Sequence, residues 1–294
     1  MQLLDGDDLV RLRQVSRLAE THVASTIHIR SRALFADIVW DYERLVTLLD
    51  DNSAVVGGAG AVYILFPTPR LPDRIHIYVP HDRYYQVVRY LERIERFNAE
   101  HLVHHHRSGM LFPEGVANMI RLTKGRLTID AVQSTNRSPL YPITAALHTG
   151  YFNFVSARAF GSSYPSLTRD CRALLNPARL EKFLNVRKED LEESDWWRKQ
   201  GWTLQVEWES WAPGGICTGV DSVGCPSAMR AFGDRMSFRG SSAPIAGRVG
   251  QTLDPIESIT AVWWRGGHTC SPTCHSGQVV ITPGARICLR DIVR

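Results

Sequence analysis

Arg74-Ile-His76 opens an apolar run, Arg74-Ile-His-Ile-Tyr-Val79, that follows the pair Gly57-Gly58 and a Pro-rich turn. Before the glycines stands Ala54-Val-Val56, and after them the apolar Ala59–Phe66. This order predicts a short strand, a glycine turn, a helix and a buried strand. Glycines at a helix start let backbone N–H groups approach a phosphate, and the helix dipole favours its negative charge. Carboxylates at alternate positions of the following strand would share one face. There they would hold a divalent metal against a triphosphate, activating an attacking hydroxyl and steadying the leaving group. The alternate positions here are Arg74 and His76. A fixed positive charge and one imidazole stand in place of two negative charges. Arg74 repels a divalent cation, and His76 alone is a poor ligand for magnesium, which prefers oxygen. Asp73 is adjacent, but strand alternation turns it to the opposite face unless a bulge intervenes. Arg74 remains able to attract an anion directly, with Gly57 and Gly58 supplying backbone donors and His76 beside it.

The elements that must position these residues follow from periodicity. Leu9, Leu12, Val15, Leu18 and Val23 recur at helical spacing, with Asp7 or Asp8 as the N-cap. A second helix is expected from Ser31 to Asp50, striped by Leu34, Ile38, Tyr42, Leu45 and Leu49. After Pro80, Asp82 is expected to cap a helix burying Val87, Tyr90, Leu91, Ile94 and Phe97. Gly115–Leu122 and Arg126–Gln133 flank Lys124-Gly125 and read as a hairpin, with Thr128, Asp130 and Val132 on one face of its second strand. Ser138-Pro139 opens a helical stretch through Ile143, Leu147, Phe152 and Phe154, and a charged helix is expected over Pro177 to Lys199. Tryptophans at 196, 197, 202, 208 and 211 precede a Gly-, Ser- and Cys-rich region. Exposed aromatics can stack bases, but the alternation of Leu204, Val206 and Trp208 favours packing in a core or sheet.

Cys217 and Cys225 are separated by seven residues, and Cys270 and Cys274 by three, with His268 and His275 nearby. Four thiolates from two loops would make a tetrahedral zinc site, although the first spacing is wider than zinc signatures use. Cys171 and Cys288 read as small core residues. His101, His104, His105 and His106 follow a helix end and read as a solvated loop in preference to a metal site. Six cysteines in 294 residues do not form the dense framework of a small secreted domain. The net charge of +4 comes without a dense basic run, so composition does not single out nucleic acid. No apolar run approaches the roughly 20 residues that span a bilayer, and the acidic start lacks a secretory core. The expected setting is intracellular, cytoplasmic or nuclear, with no membrane partner. No G-x-S-x-G elbow, Walker lysine or H-E-x-x-H occurs, so other enzyme classes lack direct support.

The glycine pair and the strand after it resemble the nucleotidyltransferase fold, in which a glycine pair precedes a strand bearing Asp-x-Asp. The chain looks still more like a fungal group of uncharacterised proteins, in which a degenerate F-box-like segment precedes a nucleotidyltransferase-like domain with a strand of the type Asp-Leu-Asp-Ile-Tyr-Val. The likeness extends through the helix after Pro80, the hairpin ending in Ile129–Gln133, Ser138-Pro139, His148 and Asn153-Phe154, over roughly residues 5 to 170. It implies that Asp130 matches the third carboxylate of the fold, so an active magnesium-dependent transferase would have to rely on Asp73 and Asp130. Leu9-Val-Arg-Leu-Arg-Gln-Val-Ser-Arg17 resembles the later half of an F-box, a helical adaptor that docks a substrate receptor onto a ubiquitin-ligase scaffold. The opening Leu-Pro helix of that box is absent, which reduces the apolar surface for a partner.

The expected fold is α/β (α+β): a nucleotidyltransferase-like mixed sheet with flanking helices and a helical amino-terminal extension. The expected organisation is a degenerate F-box-like extension over 1–50, a core over 51–170, and a Trp- and Cys-containing region over 171–294 packed on it. The leading functional expectation is a pseudo-nucleotidyltransferase acting in binding or protein interaction. The alternatives are the active transferase and the F-box-like adaptor. No cofactor is required by the residues. A nucleotide or other anion at Gly57, Gly58, Arg74 and His76, a structural zinc at the four cysteines, and a protein partner on the amino-terminal helices are the ligands to look for.

Overall fold

Apolar runs bounded by Gly and Pro lay down the centre of the molecule. The structure, a computed structural model, describes residues 4–66, 70–100, 115–181, 188–208, 211, 225, 228–242, 261–264 and the strand 286–288. Val55–Gly57 forms β1, Gly58–Leu65 forms α4, and Arg74–Val79 forms β2. Three helices precede them: α1 (Gly6–Arg13), α2 (Arg17–Phe35) and α3 (Tyr42–Asp51). Beyond β2 come α5 (Tyr84–Arg93), β3 (Asn98–Glu100), β4 (Val116–Lys124) and β5 (Leu127–Ser134). Strands β6 (Asn153–Val155) and β7 (Ala159–Ser162), helix α6 (Pro165–Arg169), β8 (Arg172–Leu174), helices α7 (Pro177–Glu181) and α8 (Lys188–Lys199), and β9 (Thr203–Gln205) follow. The last strands are β10 (Met229–Ala231), β11 (Phe238–Ser241), β12 (Ala261–Trp264) and β13 (Arg286–Cys288).

Eight strands make one mixed sheet in the order β11-β7-β6-β1-β2-β5-β4-β3. Only β2 and β5 run parallel in it; the other neighbours are antiparallel. This is the mixed α/β architecture that the alternation of helical and strand patterns predicts. Two smaller sheets, β10-β12-β13 and β8-β9, lie outside it. Strand β2 is buried on both faces, as central strands beneath helices must be. Gly60 lets α4 approach closely, since a Cβ there would meet Ile75 Cγ2 at 2.9 Å and Val56 Cγ1 at 3.0 Å. Strand β11 carries the carboxyl-terminal region into the same sheet, where Phe238 lies under α1 and would clash with any side chain at Gly6. Trp197, Trp202 and Trp263 are buried in the core, and Trp208, expected to pack in a core or sheet, lies partly buried against it.

Several boundaries differ from expectation. Asp5 caps α1, accepting from the Asp7 and Asp8 amides, while the Asp8 carboxylate receives the Asp5 N–H in a capping box. The cap is therefore two to three residues earlier than expected. The first helix also breaks at Gln14–Ser16, where the Ser16 hydroxyl accepts from Ala19 N at 3.1 Å and starts α2. That break rotates Val15 and Leu18 out of the buried stripe, leaving them 76% and 69% exposed. The expected helix from Ser31 to Asp50 divides at Asp37, whose φ of 63° no helix continues through, and Asp41 caps α3. Asp82 does not cap α5, which begins after Arg83 without a side-chain cap, and Ile94 is exposed. The stretch after Ser138-Pro139 is two 3₁₀ turns, Pro142–Ala145 and Thr149–Tyr151, leading into β6, so Phe154 sits on a strand. No helix among the described residues is long and apolar enough to cross a membrane.

Candidate functional site

Strand alternation places Arg74, His76 and Tyr78 on one face of β2 and Ile75, Ile77 and Val79 on the other. Register then assembles a row across the sheet. Gly57 on β1 lies opposite His76, His76 lies beside Asp130 on the parallel β5, and Asp130 lies opposite Arg121 on β4. The β4–β5 hairpin holds that register with a two-residue loop, Gly125-Arg126, in which Gly125 takes the left-handed φ of 56°.

Asp130 is fully buried, and two guanidinium groups surround it. Arg74 donates from Nε to Oδ2 at 2.6 Å, with Nη2 also 2.6 Å from that oxygen. Arg121 donates from Nε to Oδ1 at 2.8 Å and from Nη2 to Oδ2 at 3.2 Å. His76 Nε2 stands 3.7 Å from Oδ2. The remaining arm of Arg74, Nη1, donates to Glu193 Oε2 on α8 at 2.6 Å. The other Glu193 oxygen accepts from the Tyr151 hydroxyl and, at 3.0 Å, from Trp197 Nε1. Glu193 and Trp197 are one helical turn apart, so α8 presents both to the sheet from one face.

These contacts set the charge states. Burial alone would push the Arg74 guanidinium down, but Glu193 and Asp130 outweigh it and hold the group charged. Burial would raise the carboxyls of Asp130 and Glu193. Arg74 leads the opposing charges in both cases and holds each below the ordinary carboxylate range. Burial pushes the His76 imidazole down, and the attraction of Asp130 does not restore it because Arg74 and Arg121 repel a second positive charge. His148 is completely buried against Tyr151 and Trp197, and burial pushes it down to about 3.

The glycine pair has a local steric role. Gly58 has a φ of 58°, and a Cβ there would lie 2.7 Å from His76 Nδ1 and 3.3 Å from the Tyr151 ring. A Cβ at Gly57 would lie 2.5 Å from the Tyr78 ring. Both glycines therefore make room for the rings of the site. His76 stacks on Tyr78 at 5.8 Å and meets Tyr151 edge-on at 5.2 Å.

The expected site residues therefore divide. Gly57, Gly58, Arg74, His76 and Asp130 come together. Asp73 precedes β2 with an exposed residue position, and its carbonyl accepts from Thr128 N at 2.7 Å, outside the cluster. Cys225 is buried, whereas Cys217, Cys270 and Cys274 lie outside the described residues, as do His101, His104, His105 and His106. Among the described residues no group of three or more His, Cys, Asp or Glu side chains is placed to hold a metal. A divalent cation also does not fit the Asp130 position, because Arg74 and Arg121 already take both of its oxygens and would repel the ion. Arg121, Tyr151 and Glu193 were not singled out by the sequence, and Trp197 stood out there only as one of a tryptophan cluster. Hairpin register offered a signal for Arg121; the approach of Glu193 over 119 residues of chain offered none.

Chemically, the arrangement is a charge-balanced network: two guanidinium and two carboxylate groups beside a neutral imidazole. The arginines and carboxylates compensate one another's charge within the cluster. Comparison with protein-family models, with curated proteins and with solved structures finds no match for this chain.

Proposed function

We propose that the chain is a nucleotidyltransferase-like protein that has lost transfer and acts through binding or protein interaction. The observation that carries this reading is the guanidinium of Arg74 bridging Asp130 and Glu193 at 2.6 Å on the strand where metal-holding carboxylates would stand. The glycine turn, the helix, the buried strand and an acid on the neighbouring strand support the likeness in outline. The charge at the centre argues against metal-assisted chemistry. The active alternative needs Asp73 and Asp130 to act together, and strand alternation sends them to different sides. The test is incubation of the full chain with labelled nucleoside triphosphates and magnesium, alongside protein and nucleic-acid acceptors. The expected result is no label transferred and no magnesium-dependent change in melting temperature. Transfer that disappears in Asp130→Ala would sink the reading.

One observation favours a protein partner on the amino-terminal helices. Val15 and Leu18 are exposed at the elbow between α1 and α2, although both continue an apolar stripe. In an F-box-like adaptor this elbow would contact a ubiquitin-ligase scaffold. Titration with the purified scaffold, comparing wild type with Val15→Glu/Leu18→Glu, tests it; equal or absent binding by both would reject the adaptor.

A further inference from the structure

The Glu193 carboxylate is held by three donors that converge from different parts of the chain. Arg74 Nη1 reaches it from β2, the Tyr151 hydroxyl from a 3₁₀ turn, and Trp197 Nε1 from α8 itself. Tyr151 and Trp197 are buried, and Trp197 Nε1 also lies 3.1 Å from the Tyr151 oxygen, so the donors are rigidly placed. A charged fork and two neutral donors around one carboxylate constitute an oxyanion site. The side chains of Glu193 and Arg74 keep 14% and 24% of their exposure, so the position opens to solvent at one side. His76 Nδ1, buried in the same cluster, makes no hydrogen bond within the protein.

We propose that Glu193 is an internal occupant of an oxyanion site built by Arg74, Tyr151 and Trp197, and that an external carboxylate or phosphate must displace it to bind. The proposal rests on the reading that this centre binds without transferring. It adds the regulation of the site: the chain carries its own competitor. Moving the Glu193 side chain toward solvent vacates the position, while Trp197 can stay packed and keep α8 in place. An external anion then meets the same three donors that Glu193 now uses. Such competition lowers apparent affinity by the fraction of time the site stands open.

The experiment is thermal denaturation of the full chain, at constant ionic strength, titrated with acetate and separately with inorganic phosphate. Glu193→Ala empties a carboxylate-sized position. It is expected to show saturable stabilisation with a half-saturation at least about tenfold below that of wild type. Arg74→Gln/Glu193→Ala is expected to lose that gain. Acetate acting more strongly than phosphate identifies a carboxylate site, and the reverse identifies a phosphate site; either supports the proposal. If Glu193→Ala melts without cooperativity, Glu193→Gln, which keeps the volume and removes the charge, takes its place with the same expected direction. Anion responses equal in wild type and variant overturn the proposal, as does a gain that survives loss of Arg74. Label transfer from a nucleoside triphosphate would overturn the reading beneath it while leaving these responses to stand on their own.

Discussion

Arg74 and Asp130 are joined on neighbouring parallel strands by two guanidinium nitrogens, Nε and Nη2, each 2.6 Å from one carboxylate oxygen. The pair is asymmetric, because Asp130 has a second guanidinium in Arg121 and Arg74 a second carboxylate in Glu193. A buried ion pair is weak evidence for net stabilisation, since desolvation opposes it. Removing one partner is nonetheless costly when charge is left uncompensated. Asp130→Ala leaves two arginines facing each other across a buried gap. It is expected to lower unfolding free energy by about 3–5 kcal/mol. Arg121→Met leaves Asp130 with Arg74, and Arg74 with Glu193, and should cost less. Urea denaturation of both variants measures the difference; equal losses would show that Arg74 does not compensate Asp130.

The two left-handed glycines nearest the site offer a second contrast. Gly58 and Gly125 have nearly the same φ, 58° and 56°, but a Cβ at Gly58 meets His76 whereas one at Gly125 meets nothing within 4 Å. Gly125→Ala should therefore carry backbone strain alone, about 1–2 kcal/mol. Gly58→Ala should carry that strain plus a steric term, and His76→Ala in the same chain should recover part of the difference. Chemical denaturation of these three variants and of His76→Ala alone reads this cycle. Equal costs at Gly58 and Gly125 would mean that the imidazole moves aside freely.

That contrast also shows what a sequence can and cannot disclose. The strand–helix–strand unit around Gly57-Gly58 and the β4–β5 hairpin were legible because dense apolar runs end at Gly or Pro. The segment from Ser138 to Phe154 was not, because apolar residues at helical spacing occur across two 3₁₀ turns and a strand, with Pro142 beginning the first turn. Likewise the apolar stripe through Val15 gives no sign that Ser16 will begin a new helix. Within the site, alternation brought Arg74 and His76 to one face, and pairing Lys124 with Leu127 would have placed Arg121 opposite Asp130. Glu193 lies in a charged helix with no local mark of its partner, so only tertiary packing reveals that Arg74 is already engaged.

Acid should weaken the fold before any carboxylate is protonated. His148 is buried with its folded pKa pushed down to about 3, against an ordinary value of 6.5. Burial shifts His76 in the same direction. A depressed histidine means that the unfolded chain takes up a proton that the folded chain refuses, so stability is full above pH 6.5 and falls below it. His148 alone accounts for a loss of about 2 kcal/mol between pH 6.5 and pH 5. Asp130 and Glu193, held low by Arg74, add stability that persists above the ordinary carboxylate range and disappears as pH falls through their folded values. All four groups therefore act in one direction. His148→Asn keeps an acceptor for the Gly150 amide, which His148 Nδ1 now accepts at 3.1 Å, and removes the titration. Urea midpoints from pH 7 to pH 5 should fall more gently in this variant; an unchanged slope would remove His148 from the account.

The amino-terminal helix should be tied to the rest of the chain by Asp5 more than by any neighbouring acid. Asp5 accepts from the first-turn amides of α1 and, at 2.5 Å, from Arg169 Nε on α6. Burial would raise its carboxyl, but the Arg169 hydrogen bond and the capping amides outweigh this and hold it low. Asp7, by contrast, makes an i,i+4 pair with the exposed Arg11 and a longer 3.6 Å contact with Arg169. Asp5→Ala is expected to cost about 1–2 kcal/mol through the lost cap, whereas Asp7→Ala should cost under about 0.5 kcal/mol. The distinguishing measurement is amide hydrogen exchange. In Asp5→Ala the amides of Gly6–Arg13 should exchange faster while those of β2 and β5 keep their protection, because opening begins at the helix end. Faster exchange spread evenly over β2 and β5 would instead mean that α1 and the sheet open together, and that Asp5 acts as a core residue of the whole fold.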